Sequence, residues 1–206
     1  MDNWNRKEHF RFFNQFDEPF FGIFSEIDVT RAYQYCKTNG ISFFLFYLFH
    51  ATKAVNLTDE FRFRIEGDNV VEYRTIHATC TISRPDHTFA FSFFPFSGNL
   101  EDFVIGARKE IENVHHSTGL QSNQDTMRPD VIHFSSVPWI HFTGVTHARN
   151  YKYKDSVPKI TFGKFQEKDN KLMMPLSIHA HHGLMDAFHV ARYLQLFGKL
   201  VNEPCI

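Results

Sequence analysis

Apolar and polar positions alternate over much of this chain, and where the alternation stops the spacing turns helical. Residues 20–27 are aromatic and branched, bounded by Pro19 and Asp28, and predict a strand. Asp28 and Thr30 are good N-caps for a helix over residues 30–37, which Asn39-Gly40 stops. Ser42 can cap a second helix reaching Asn56, whose early part is apolar on nearly every face and so suits burial on most sides. Residues 61–65 alternate apolar with Arg, Gly67-Asp68-Asn69 turns, and residues 70–73 resume, which predicts a hairpin. Strand-like runs over 76–83 and 88–96 flank a turn at Arg84-Pro85-Asp86. Residues 100–116 place Phe103, Val104, Ala107, Ile111 and Val114 at helical spacing, the clearest amphipathic helix in the chain. After a polar loop over 117–130, residues 131–142 alternate, and 160–165 and 172–182 read as strands joined by a charged turn at 167–171. A last helix over 186–201 presents Val190, Leu194, Phe197 and Val201 on one face, and the aromatic, charged residues 2–16 can form a short opening helix. Strands and helices are interleaved and several strands are hairpin-joined. The fold class is therefore α/β, a two-layer sandwich with a mixed β-sheet. No repeat or linker divides residues 1–206, which read as a single domain.

The strand over 172–182 singles out one histidine. If it extends to His182, Leu176, Ile178, Ala180 and His182 share one side while Ser177, His179 and His181 share the other. His182 then ends an apolar stripe, four residues before Asp186. An imidazole there, kept neutral and fixed in one tautomer by its neighbours, suits proton transfer; a histidine simply hydrogen-bonded at a strand end fits as well.

Composition narrows the classes. Apolar residues make up 43% and charged residues 22%, a globular balance, and 25 phenylalanines predict an aromatic-rich core. The formal net charge of −1 supplies no field to recruit nucleic acid or an anionic membrane. Cys36, Cys80 and Cys205 are widely spaced and odd in number, which predicts a reducing compartment. The opening residues lack the apolar core of a signal peptide, and the longest apolar run, over 43–49, is far short of the ~18 to 20 residues of a membrane span. A soluble, cytoplasmic protein is expected.

Other chemistries are less well supported by spacing. His179 and His181 form an H-x-H pair that could begin a zinc site, but no third ligand is marked nearby, so no metal is expected. His189, three residues beyond Asp186, reads as an ordinary helix-face residue. Ser135 and Ser136 lack a G-x-S-x-G elbow, which suits donation to an oxyanion better than nucleophilic attack. Neither a Walker loop nor G-x-G-x-x-G is present.

The segment His181-His182-Gly183-Leu184-Met185-Asp186-Ala187 resembles the HHxxxDG signature of coenzyme A dependent acyltransferases. Three more segments are similar to chloramphenicol acetyltransferases within that superfamily: residues 3–10, from Asn3 and Trp4 through Arg6 to Phe10; Phe134-Ser135-Ser136-Val137-Pro138-Trp139; and the flanks of the histidine, 174–178 and 188–192. The resemblance implies an enzyme that moves acetyl from acetyl-CoA to a hydroxyl of chloramphenicol, with His182 as general base and no acyl-enzyme. It implies Ser135 as the oxyanion donor, Asp186 as a structural partner of Arg6, and Thr161 as the threonine that holds a water near the intermediate. The partners it implies are coenzyme A, a small-molecule alcohol and two further copies of the chain, in a homotrimer with active sites between subunits. Two positions depart from the family pattern. Ala187 replaces the signature glycine, so its φ is negative or the turn is strained. Phe13 stands where the family has an acceptor-binding tyrosine. Another small hydroxylated acceptor, or a non-catalytic trimeric ligand-binding homologue, are the alternatives. Transfer to a dihydrolipoyl group is disfavoured, since no lipoyl domain or linker precedes the domain.

Overall fold

A computed structural model describes residues 4–203, so Asn3 of the opening motif and Cys205 lie outside the described residues. The chain runs α1 (Lys7–Phe13), β1 (Phe20–Asp28), α2 (Thr30–Asn39), α3 (Phe43–Asn56), a 3₁₀ turn (Asp59–Arg62), β2 (Phe63–Glu66) and β3 (Asn69–Glu72). It continues with β4 (His77–Ser83), β5 (Phe89–Phe94), α4 (Leu100–His115), β6 (Val131–Val137), β7 (Lys159–Gly163), β8 (Gln166–Lys168), β9 (Lys171–His181) and α5 (Ala187–Asn202). The main sheet is ordered β1-β9-β7-β6-β4-β5, with β8 paired to β9. It is mixed: β4, β6 and β7 are parallel, while β1, β9 and β5 run antiparallel to their neighbours.

Alternation gives this sheet two different faces. Ile132 and Phe134 of β6, Ile160 and Phe162 of β7, and Leu176, Ile178 and Ala180 of β9 are buried. They share one core with Phe46 and Leu48 of α3, Phe103 and Ala107 of α4, and Tyr193 and Phe197 of α5. The intervening residues, His133 and Ser135, Lys159 and Thr161, Ser177 and His179, project from the other face. The Ser42 hydroxyl caps α3 by accepting from Leu45 N–H, and Gly40 ends α2 with φ +64°.

Several expected boundaries move, each for a local reason. Val29, rather than Asp28 or Thr30, occupies the α2 cap position, and Asp28 Oδ1 accepts from both the amide and the hydroxyl of Thr30. The strand over 131–142 ends at Val137, before Pro138, which has no ladder donor. The strand over 160–165 stops at Gly163, where the Phe142 ring and Pro175 leave no space for a Cβ, and β8 then forms a hairpin with β9. Strand β9 ends at His181, so His182 stands in the following turn rather than closing the apolar stripe. The reason is that the His182 amide donates to Pro19 O while Leu184 and Met185 amides fold back onto His181 O. No helix among the described residues is long and apolar enough to cross a membrane.

Candidate active site

The turn over 182–186 is fixed from three sides. Beneath it, Leu184 packs with Phe10 of α1 and Phe63 of β2 in a small apolar cluster of its own. From α1's cap, Arg6 donates from one guanidinium nitrogen to Asp186 Oδ2 at 2.6 Å and from another to His182 O at 3.0 Å. On the far side Asp186 caps α5, its Oδ1 accepting from Phe188 N–H at 3.0 Å, while its own amide donates to His189 Nδ1 at 3.1 Å. Burial pushes the Asp186 carboxyl up, but the Arg6 hydrogen bond, nearby His189 and the Phe188 amide outweigh it and hold the group below the usual carboxylate range. Asp186 is thus engaged by Arg6 and the helix start, not by the His182 ring. Ala187 is the first residue of α5 and is not among the positive-φ residues, which settles the question of strain at that position.

His182 itself is held by aromatic faces. Phe13 stacks on its imidazole at 4.1 Å between centroids and 11° between planes, and Phe21 approaches at 4.7 Å. The ring's Nδ1 lies 3.3 Å from Met185 O. A carbonyl can only accept, so Nδ1 carries the proton and Nε2 keeps its lone pair. Neighbouring His181 is turned inward: its Nδ1 accepts from Gly183 N–H at 3.1 Å, and burial, with Arg149 adding to it, lowers its pKa to about 4. His179 meets the His147 ring edge-on at 4.8 Å rather than pairing with His181. Among the described residues no cluster of three His, Cys, Asp or Glu side chains is placed to hold a metal ion.

Ser135 lies elsewhere on the sheet. It is paired with Thr161 across β6 and β7, and Thr161 with Ser177 across β7 and β9. His182 stands five residues beyond Ser177 along β9 and two strands away from β6. At normal strand spacings that separates His182 from Ser135 by on the order of 15–20 Å within one chain. The structure therefore brings Arg6, Asp186, Phe13 and His182 into one group and Ser135 and Thr161 into another. Ser135 lines a cavity of about 420 Å³ with Thr79, His133, His147 and Lys159. Thr161 is 1% exposed, and its Oγ1 is 3.4 Å from His147 Nε2.

The sequence reading missed His133, His147 and Lys159. His133 and Ser135 are two apart in a strand and so share a face, a signal that was available; His147 and Lys159 arrive only through the loop over 138–158 and the β6–β7 register. His189 was also missed as a capping partner, because D-x-x-H is not the S/T-x-x-E pattern of a capping box.

Against known proteins, the sequence model for chloramphenicol acetyltransferase matches residues 1–197. The chain belongs to the chloramphenicol acetyltransferase family. It is an acyltransferase by that membership. Chloramphenicol acetyltransferase 3 of Escherichia coli is 27% identical over 98% of this chain and 95% of the relative. The chloramphenicol acetyltransferase of Staphylococcus aureus is 28% identical over 99% and 94%. Among solved structures, a chloramphenicol acetyltransferase superposes with a TM-score of 0.89 at 29% identity, over 97% of this chain and 96% of that one. A probable dihydrolipoamide acetyltransferase of Listeria monocytogenes shares the fold at a TM-score of 0.71 and 14% identity, over 95% and 89%.

Proposed function

We propose that this chain transfers the acetyl group of acetyl-CoA to a hydroxyl of chloramphenicol, with His182 as general base. The observation that carries the reading is the His182 geometry: Nδ1 at a backbone carbonyl, the ring plane set by Phe13, and Nε2 left as a base. The acceptor hydroxyl gives its proton to Nε2 as its oxygen bonds to the thioester carbonyl carbon. The tetrahedral oxyanion accepts a hydrogen bond from the Ser135 hydroxyl, and Thr161 holds a water beside it. Collapse of the intermediate breaks the carbon–sulfur bond, and the imidazolium returns its proton to the coenzyme A thiolate, so no acyl-enzyme forms. Arg6 and Asp186 position the turn without touching the reacting atoms.

Because His182 and Ser135 stand far apart in one chain, this mechanism requires two copies at each site. A homotrimer in which the histidine of one copy faces the serine of the next satisfies that requirement. A whole-chain single domain working in the cytoplasm fits the same reading. A second reading, transfer to another small alcohol, is favoured by Phe13, which gives its ring to His182 and has no hydroxyl to offer an acceptor.

A thiol-release assay with acetyl-CoA and chloramphenicol tests the proposal. His182→Ala is expected to lower kcat by about 10²- to 10⁴-fold and Ser135→Ala by about 10²- to 10³-fold. Undiminished turnover in His182→Ala would remove the base assignment.

A further inference from the structure

One peptide unit bridges two imidazoles at the start of α5. The carbonyl of Met185 lies 3.3 Å from His182 Nδ1, and the amide on the other side of the same peptide bond, that of Asp186, donates to His189 Nδ1 at 3.1 Å. A peptide is planar, so whatever turns the amide away from His189 also turns the carbonyl away from His182. The group that fixes the tautomer of one ring is thus itself held by the other.

His189 Nδ1 faces a second, opposite demand. It stands 2.8 Å from Asp186 Oδ1, which can only accept. A neutral ring protonated at Nε2 takes the amide bond. A ring with a proton on Nδ1 pairs with Oδ1 instead and gives the amide nothing. Glu60 weighs on that choice from the 3₁₀ turn, which Phe61 holds against α5 by stacking on Tyr193 at 4.7 Å between centroids. Glu60 Oε1 lies 3.5 Å from His189 Nε2 and 3.5 Å from Arg192 Nη1, and Oε2 is buried with no hydrogen-bond partner among the described residues. A carboxylate in that place draws the proton of a neutral ring to Nε2 and leaves Nδ1 free to accept. The charged groups around His189 are therefore Asp186 at the cap and Glu60 on the 3₁₀ turn, with Arg6 and Arg192 one contact further out.

We propose that His189, backed by Glu60, is a positioning residue for the transfer reaction: by accepting from the Asp186 amide it holds the Met185–Asp186 peptide plane that keeps His182 in its basic tautomer, and a proton taken up at His189 Nδ1 releases that plane. The inference rests on the reading of His182 as the general base.

Two substitutions separate the two states. His189→Gln can still accept from a cap amide, as Gln does at this position of a capping box, and does not titrate. His189→Leu accepts at no pH. In the thiol-release assay at about pH 8.5, His189→Gln should stay within about threefold of the parental kcat and His189→Leu should fall about tenfold below it, with either KM changed by less than about twofold. At about pH 5.5, where imidazoles in general gain a proton, the parent should lose its advantage. There the kcat of His189→Gln should exceed the parental value by up to about tenfold, and that of His189→Leu should approach it. Titration of His182 is common to all three proteins and cancels in these ratios, and thermal melts check that each is folded. The ring also reports without turnover: its ¹⁵N resonances at pH 8.5 should show a bare Nδ1 and a protonated Nε2, with the Asp186 amide protected from solvent exchange in the parent and exposed in His189→Leu. Ratios equal at the two pH values, a change in KM in place of kcat, or a proton on Nδ1 at pH 8.5 would overturn the inference. Undiminished turnover in His182→Ala would instead remove the base assignment, while the ring and amide signals still report a peptide plane held by His189.

Discussion

His50 shows what an unpaired buried group does to this protein. It lies in α3 at 5% exposure, packed against Phe46 and Phe49, and neither ring nitrogen has a hydrogen-bond partner. Burial, with Lys53 adding to it, lowers its pKa from 6.5 to about 4. His181 is lowered to about 4 as well, again chiefly by burial. Above pH 6.5 such a ring is neutral in both folded and unfolded chains and stability does not depend on its titration. Below it, the unfolded chain takes up a proton that the native ring refuses, so stability falls as pH falls and levels off near pH 4, where the native ring protonates too. Each ring contributes a slope of up to about 1.4 kcal/mol per pH unit in that window. Urea unfolding between pH 7.5 and 4 should show this acid loss, and His50→Leu should reduce the slope without weakening the protein at pH 7.5, since it removes two unpaired nitrogens. A slope unchanged in His50→Leu would show that the ring is already protonated or solvated in the native state.

At the scale of elements, one ion pair joins the starts of two helices. Arg6 precedes α1 and Asp186 caps α5, 180 positions further along the chain. Arg6 is 9% exposed in its side chain and Asp186 35%, so the pair is half-screened and is worth less than a fully buried one, about 1 to 3 kcal/mol. Arg6→Met and Asp186→Asn should each lower the unfolding free energy, and the double variant should lower it by less than their sum. Strict additivity would mean that the two side chains stabilise their helices independently. The pairing also marks the limit of what the chain discloses by itself. Helices whose signals are local, such as α3 with Ser42 at its cap and α4 with its apolar stripe, were legible to within a residue. The end of β9 was not, because it depends on Pro19 O accepting from the His182 amide, a contact between distant parts of the chain. Arg64 escaped notice for the same reason: alternation within its hairpin gave no sign that its guanidinium is 1% exposed and donates to the carbonyls of Phe61, Phe63, Pro129 and Val131.

At the scale of the whole molecule, the separation of His182 from Ser135 turns a mechanism into a statement about assembly. If each site takes its base from one copy and its oxyanion donor from the next, two inactive variants can repair each other. His182→Ala retains Ser135 and Ser135→Ala retains His182, so a site formed at their junction in the right order is complete. When the two are mixed evenly and allowed to assemble from unfolded chains, each site draws its two halves independently. About a quarter of the sites then carry both functional side chains, and the mixture should recover about a quarter of the parental rate. Neither variant assembled alone should exceed its own residual rate, and mixing already assembled variants without unfolding should restore nothing until subunits exchange. Recovery that stays at the residual level after joint assembly would mean that a single copy supplies both groups through a rearranged loop, or that Ser135 is not the oxyanion donor. The two are separable, because in the first case the active species would run as a monomer in analytical ultracentrifugation.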